Sequence, residues 1–127
     1  MARELPEIRT FRDLVVWQKS MALVKDMYRV TSAFPSDEKF GLTSQMRRCA
    51  VSIPSNIAEG YGRQSTTDYV RFLRIAVGSL YELQTQVEIA AMLSYVPQGE
   101  QVNIQDRLQE IERMLTSLVR KVGKSRD

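Results

Sequence analysis

The chain has 127 residues, 43% apolar and 26% charged, with a net charge of +3; this suits one domain with its own core and excludes a wholly disordered chain. There is no histidine and only one cysteine, Cys49, which argues against an internal disulfide, a structural zinc site or histidine-based proton transfer. No apolar run approaches the roughly 20 residues of a membrane span, and Met1 to Arg12 carries mixed charge with no apolar secretion-signal core, so a cytoplasmic protein without a cofactor or metal is expected.

Four helical segments follow an N-terminal arm over residues 1–12. The first is expected over 13–33, with Asp13 as N-cap. Leu14, Trp17, Met21, Val24 and Tyr28 share one face, and Val16, Leu23, Met27 and Val30 form a second stripe about 120° away. Phe34-Pro35 ends the segment, because the residue before proline is driven out of helical geometry. The second is expected over 43–59, with Leu42, Met46, Cys49, Ala50, Ile53 and Ile57 on its apolar face. Pro54 removes a backbone donor and predicts a kink, with Ser52 and Ser55 placed to satisfy freed backbone groups. Gly60 and Gly62 are read as its C-terminal stop.

The third segment is the longest, 67–95, capped by Thr66 or Thr67. Tyr69, Phe72, Leu73, Ala76, Leu80, Leu83 and Val87 line its core face; Ile75, Gly78, Ile89 and Leu93 form a second, less polar stripe. The fourth, 100–122, has the clearest pattern, with Ile104, Leu108, Ile111, Leu115, Leu118 and Val122 in steps of four and three. A short tail, 123–127, is expected to fray. Short connections between long helices, and no strand pattern, give an all-α antiparallel up-down-up-down four-helix bundle over 13–122. The second stripes exceed what one bundle core needs, so Val16, Leu23, Met27, Ile75, Ile89 and Leu93 are expected at an interface between copies.

Few residues can carry chemistry. Cys49 follows Arg47 and Arg48, yet it falls on the apolar face and has no histidine to act as its base, so a small packed side chain is expected. Asp37, Glu38, Glu59 and Asp68 have no recognisable metal-ligand spacing. Gly60-Tyr61-Gly62-Arg63 lacks the spacing and the preceding strand of a phosphate loop. The arginines are the best lead. Ten Lys/Arg stand against seven Asp/Glu in residues 1–64, and eight against eight in the rest. Arg47, Arg48, Arg63, Arg71 and Arg74 are candidates for phosphate contact, since guanidinium offers a planar fork of donors. The competing structural reading is that Arg63 pairs with Glu59 and the others are solvated. Trp17, Tyr28, Tyr69 and Phe72 match packing periodicity; Tyr61 and Tyr81 are freer.

Several stretches carry a family likeness. They are Phe11-Arg12-Asp13-Leu14 with Val16-Trp17-Gln18, then Phe34-Pro35, Phe40-Gly41-Leu42, the run from Gln45 through Arg47-Arg48, Ile53-Pro54-Ser55-Asn56 and Ala58-Glu59-Gly60, and finally Phe72-Leu73-Arg74-Ile75-Ala76 with Gly78-Ser79 and Glu82-Leu83. Over residues 11–96 the chain resembles the four-helix bundle proteins encoded within intervening sequences of bacterial 23S rRNA genes. That family is similar to the accessory variability determinant of diversity-generating retroelements. Cys49 departs from the family, which has alanine there. The resemblance implies a homopentameric barrel of four-helix protomers and no enzyme activity. It also implies binding to structured RNA or DNA and, in the retroelement relatives, association with a reverse transcriptase. The alternative is a protein-interaction scaffold that docks such a partner. From the residues themselves, Asn56 and Glu59 are expected to bond freed backbone groups or to pair with Arg48, Arg63 or an arginine of the third helix.

Overall fold

The computed structural model describes residues 7–124. Its helices are α1, Val15–Thr31; α2, Leu42–Tyr61; α3, Thr66–Met92; and α4, Gln98–Lys124. Short 3-10 turns, Phe11–Asp13 and Ser36–Glu38, precede α1 and α2. At 1.5 Å per residue, α3 and α4 each extend about 40 Å.

Cross-helix contacts fix the topology. Along α1 and α2, Arg47 reaches Tyr28 and Thr31, while Trp17 and Met21 line a groove with Pro54 and Ala58. Cys49 meets Gln86 and Ser52 meets Ser79. Gln105 meets Gln84 and Glu112 meets Tyr81. Glu100 pairs with Arg29, and Glu110 with Lys19. In every pair one residue number rises as the other falls, so each helix runs antiparallel to its neighbours. This is the all-α up-down-up-down bundle.

The core is a continuous apolar column. Met46, Ile53 and Ile57 of α2 meet Leu73, Leu80 and Leu83 of α3, closed by Leu23 and Met27 of α1 and Ile104, Leu108, Ile111 and Leu115 of α4. Burial of so many large aliphatic side chains is the main force holding the bundle, on the order of 1.5–3 kcal/mol for each before conformational entropy is subtracted. The placement of α1 corrects one expectation. Val16, Leu23 and Met27 are interior residues of a single chain; their stripe faces the core and offers nothing to a second copy. The other stripe is the outward one, with Met21 and Tyr28 exposed and Leu14, Trp17 and Val24 packed at the rim. By contrast Ile75, Ile89 and Leu93 are exposed along α3.

The helix ends also differ from the expected caps. Thr10, not Asp13, is an N-cap, and it caps the 3-10 turn: its hydroxyl accepts from Arg12 N–H while the Asp13 carboxylate accepts from the N–H groups of Arg9 and Thr10. Those two backbone bonds hold the Asp13 carboxyl below its ordinary pKa. Ser65, not Thr66 or Thr67, caps α3 by accepting from Asp68 N–H at 3.1 Å. Helix α2 runs unbroken through Pro54. Ser52 does not serve the proline; its hydroxyl shares a 2.8 Å hydrogen bond with Ser79 across the α2–α3 seam. Asn56 donates to Ser52 O and Oγ at 2.8 and 2.9 Å.

Gly60 is a packing residue rather than a stop. A Cβ there would lie 2.8 Å from Phe72 Cβ and 3.1 Å from Tyr69 O, so only glycine lets α3 come this close. The helix ends one residue later, at Tyr61, with Gly62 as its C-cap, as expected, in ordinary right-handed geometry and donating to Ala58 O. At the other end α4 continues over Gly123 and Lys124, which were expected to fray; residues 125–127 of that tail, and 1–6 of the N-terminal arm, lie outside the described residues. No helix among the described residues is long and apolar enough to cross a membrane.

Candidate nucleic-acid interface

The chain between α1 and α2 is pinned at its end by Glu38. One carboxylate oxygen accepts from Leu42 N–H at 3.0 Å, supplying the cap that Gly41 has no side chain to give. The other accepts from Tyr95 OH at 2.9 Å. Both bonds, the backbone one first, hold the Glu38 carboxyl below its ordinary pKa. Tyr95 is itself set by Ser94, which takes a left-handed φ of 63° after α3, and by ring contact with Phe34 at 5.3 Å. The start of α2 is thus tied to the end of α3.

Against this fixed turn lies a groove of about 520 Å³. Lys39 and Phe40 of the turn form one wall, Tyr28 of α1 another, and Thr43, Ser44, Arg47, Arg48 and Val51 of α2 the floor. Arg47 is held in place: Nε donates to Thr31 Oγ1 at 2.8 Å, a terminal nitrogen donates to Tyr28 O at 3.2 Å, and the guanidinium stands 4.5 Å from the Tyr28 ring centroid. It therefore closes the carboxyl end of α1 as well as charging the groove, a position where the helix dipole favours a cation. Arg48 is exposed and makes no ion pair among the described residues. The Lys39 ammonium lies 5.4 Å from the Phe40 ring centroid. That ring is 88% exposed, although full burial of such a side chain is worth about 2–3 kcal/mol.

The five candidate arginines fall into separate groups. Arg47 and Arg48 line this groove. Arg63 lies 15 residues further along the chain, roughly 22 Å if measured along a helix. It pairs with Glu59 at 2.5 Å, as the structural reading had it. Arg71 pairs with Asp68 at 3.7 Å, and the guanidiniums of Arg63 and Arg71 each stand 4.7 Å from the Phe72 ring centroid. Arg74 is exposed with no ion pair among the described residues. Lys39, Phe40, Tyr28, Thr43 and Ser44 are site residues that periodicity does not find. The usable signal was Lys39-Phe40-Gly41, an aromatic beside a cation just before a helix start. Of the tyrosines expected to be freer, Tyr61 packs against Tyr69 at 6.0 Å and Tyr81 donates to Glu112 at 2.7 Å.

A second cleft, on the α2–α3 face, is lined by Gln45, Arg48, Cys49, Ser52, Ser79, Glu82 and Gln86. Gln86 Nε2 donates to Cys49 Sγ at 3.4 Å. Burial pushes the Cys49 thiol up in pKa, outweighing the lowering by Gln86 and Arg48. The thiol form dominates near neutral pH, which is poor preparation for a nucleophile. No group of three or more Cys, Asp or Glu side chains able to hold a metal occurs among the described residues.

The sequence profile of 23S rRNA-intervening sequence proteins matches residues 12–117. The chain belongs to that family. The match takes in the α1–α2 groove and the cluster around Phe72 alike. The fold agrees: a crystal structure of a protein of unknown function from the S23 ribosomal protein family of Bacteroides thetaiotaomicron is similar at a TM-score of 0.78. Identity to it is 25%, over 84% of this chain and 96% of that one. No curated protein matches the chain. As a 23S rRNA-intervening sequence protein, the chain places its family stretch Arg47 to Gly60 along α2, where it forms both the groove floor and the close seam with α3.

Proposed function

We propose that this chain is a non-catalytic nucleic-acid-binding protein that seats the phosphate backbone of structured RNA in the groove around Arg47 and Arg48, working as an assembly of its own copies. The observation that carries this reading is the groove's composition: three cations, two aromatic rings and the Thr43 and Ser44 hydroxyls, gathered beside a turn that Glu38 pins. RNA rather than DNA, and five copies rather than another number, are what the family resemblance implies. Self-assembly is supported by the apolar stripe on α3, where Ile75, Ile89, Met92 and Leu93 are exposed. The same stripe favours a second reading, a scaffold for a protein partner such as the reverse transcriptase of the retroelement relatives. The absence of histidine and the raised Cys49 pKa support a non-catalytic role.

A titration against structured RNA, duplex DNA and single strands over a salt series tests the reading. Three phosphate contacts give a slope of roughly 2–3 in log K against log salt. Lys39→Gln with Arg48→Gln removes about two units of it, while Arg71→Gln with Arg74→Gln leaves it unchanged. Binding with no salt dependence, or lost equally in both double variants, defeats the groove assignment and favours the protein scaffold.

A further inference from the structure

Resting on the groove reading above, we propose that Phe40 is a base-stacking platform, so that the groove takes an unpaired nucleotide, in a bulge, loop or single strand, rather than a regular duplex. Phe40 is the most exposed large apolar side chain among the described residues, at 88%. Its exposure does not come from a slack loop. Lys39 N–H donates to Ser36 O at 3.1 Å and Gly41 N–H to Glu38 O at 2.9 Å. The Glu38 carboxylate then locks Leu42 on one side and Tyr95 on the other. The backbone is bonded on both sides of the ring, and the ring is left in water.

What surrounds the ring argues for its ligand. Lys39 stands over Phe40, and Arg47 and Arg48 share its groove. None of these three makes an ion pair among the described residues. An apolar protein surface docking on the ring must strip water from three uncompensated cations, which is costly. A nucleotide supplies both halves of the match, a flat face for the ring and a phosphate for the cations. A regular duplex supplies only the phosphates, because its base faces are already stacked on one another. Sequence-tolerant recognition of splayed bases on aromatic side chains follows from the same chemistry.

The test uses two RNAs with the same number of base pairs, a fully paired blunt duplex and the same duplex with one bulged 2-aminopurine added. Wild-type protein is expected to bind the bulged RNA on the order of tenfold more tightly, the size of one base–aromatic stack, with quenching of the 2-aminopurine fluorescence. Phe40→Ala is expected to erase the quenching and to bring affinity for the bulged RNA down to that for the duplex; Phe40→Trp is expected to keep both the preference and the quenching. If both RNAs bind with a salt slope and Phe40→Ala leaves the preference unchanged, stacking is overturned and the groove reading stands. If no nucleic acid binds with salt dependence, both fail. If Phe40→Ala instead lowers the mass of the assembly without touching RNA preference, the ring belongs to a contact between copies and the proposal is overturned.

Discussion

The two glycines at the middle of α3 and the end of α2 should answer an alanine substitution with opposite signs. In an open helical position alanine is better than glycine by about 1 kcal/mol. Gly78 is such a position, since a Cβ there meets nothing within 4 Å. Gly78→Ala should therefore stabilise the fold by about 0.5–1 kcal/mol. At Gly60 the added Cβ meets Phe72 Cβ at 2.8 Å and Tyr69 O at 3.1 Å. Neither atom swings away on a side-chain torsion, so α3 itself must move. Overpacking of that kind costs about 1–3 kcal/mol. With two contacts rooted in backbone the upper part of the range applies, and after the helix-propensity gain a net loss of about 1–2 kcal/mol remains. At a urea dependence of about 2 kcal/mol per molar, the midpoint should fall by roughly 0.5–1 M for Gly60→Ala and rise by roughly 0.25–0.5 M for Gly78→Ala. Urea unfolding followed by helical circular dichroism, at one fixed protein concentration because assembly adds stability, reads both. A Gly60→Ala protein as stable as wild type refutes the account of the α2–α3 seam.

Arg47→Gln should lower stability by about 1–2 kcal/mol, because it removes the bonds to Thr31 and Tyr28 and the contact with the Tyr28 ring; Arg48→Gln should stay within about 0.5 kcal/mol, and equal losses in urea melts would contradict the split. The Asp26 carboxyl is held below its ordinary value of 3.8, first by its hydrogen bond from Arg107 and then by Arg29. A lowered folded-state pKa stabilises fully above the unfolded value and is lost as pH falls through the folded one, so urea midpoints should drop below about pH 4, and Asp26→Asn should flatten that drop; parallel profiles remove Asp26 as a cause. Ile89→Lys, on the exposed stripe, should reduce the assembly's mass in light scattering at unchanged helicity, whereas buried Leu23→Ala should cost about 3–5 kcal/mol of folding; unchanged mass takes Ile89 out of the interface.

Helix identity was legible because apolar spacing reports burial directly. Ile104, Leu108, Ile111 and Leu115 were readable as a core stripe and are one. Periodicity alone could not say which of two stripes faces in. On α1 the stripe holding the only tryptophan looks the stronger, yet Leu23 and Met27 take the centre while Trp17 lies at the rim. The orientation is decided by which face α2 and α4 can both reach, a property of three helices together. Cap positions failed for a related reason. Thr10, Asp13, Ser65, Thr66 and Thr67 are all competent caps in isolation, and the choice among them depends on where the incoming chain approaches.

The arginines show how one residue type divides between architecture and binding. Glu59 and Asp68 neutralise Arg63 and Arg71 at the surface, and such exposed pairs add little stability. They do lower the net charge available to a phosphate at that end of the bundle. Arg47 keeps its charge, because its fixed partners are a hydroxyl, a carbonyl and a ring, none of them anionic. Neutral partners fix a cation without discharging it, which is the condition for a preorganised anion site. The same bonds make Arg47 an ambiguous probe, since its loss loosens the end of α1 along with the groove. The side chains of Arg48 and Lys39 make no ion pair among the described residues and line the same groove. A loss of RNA affinity on changing them, at unchanged stability, therefore reads out binding alone.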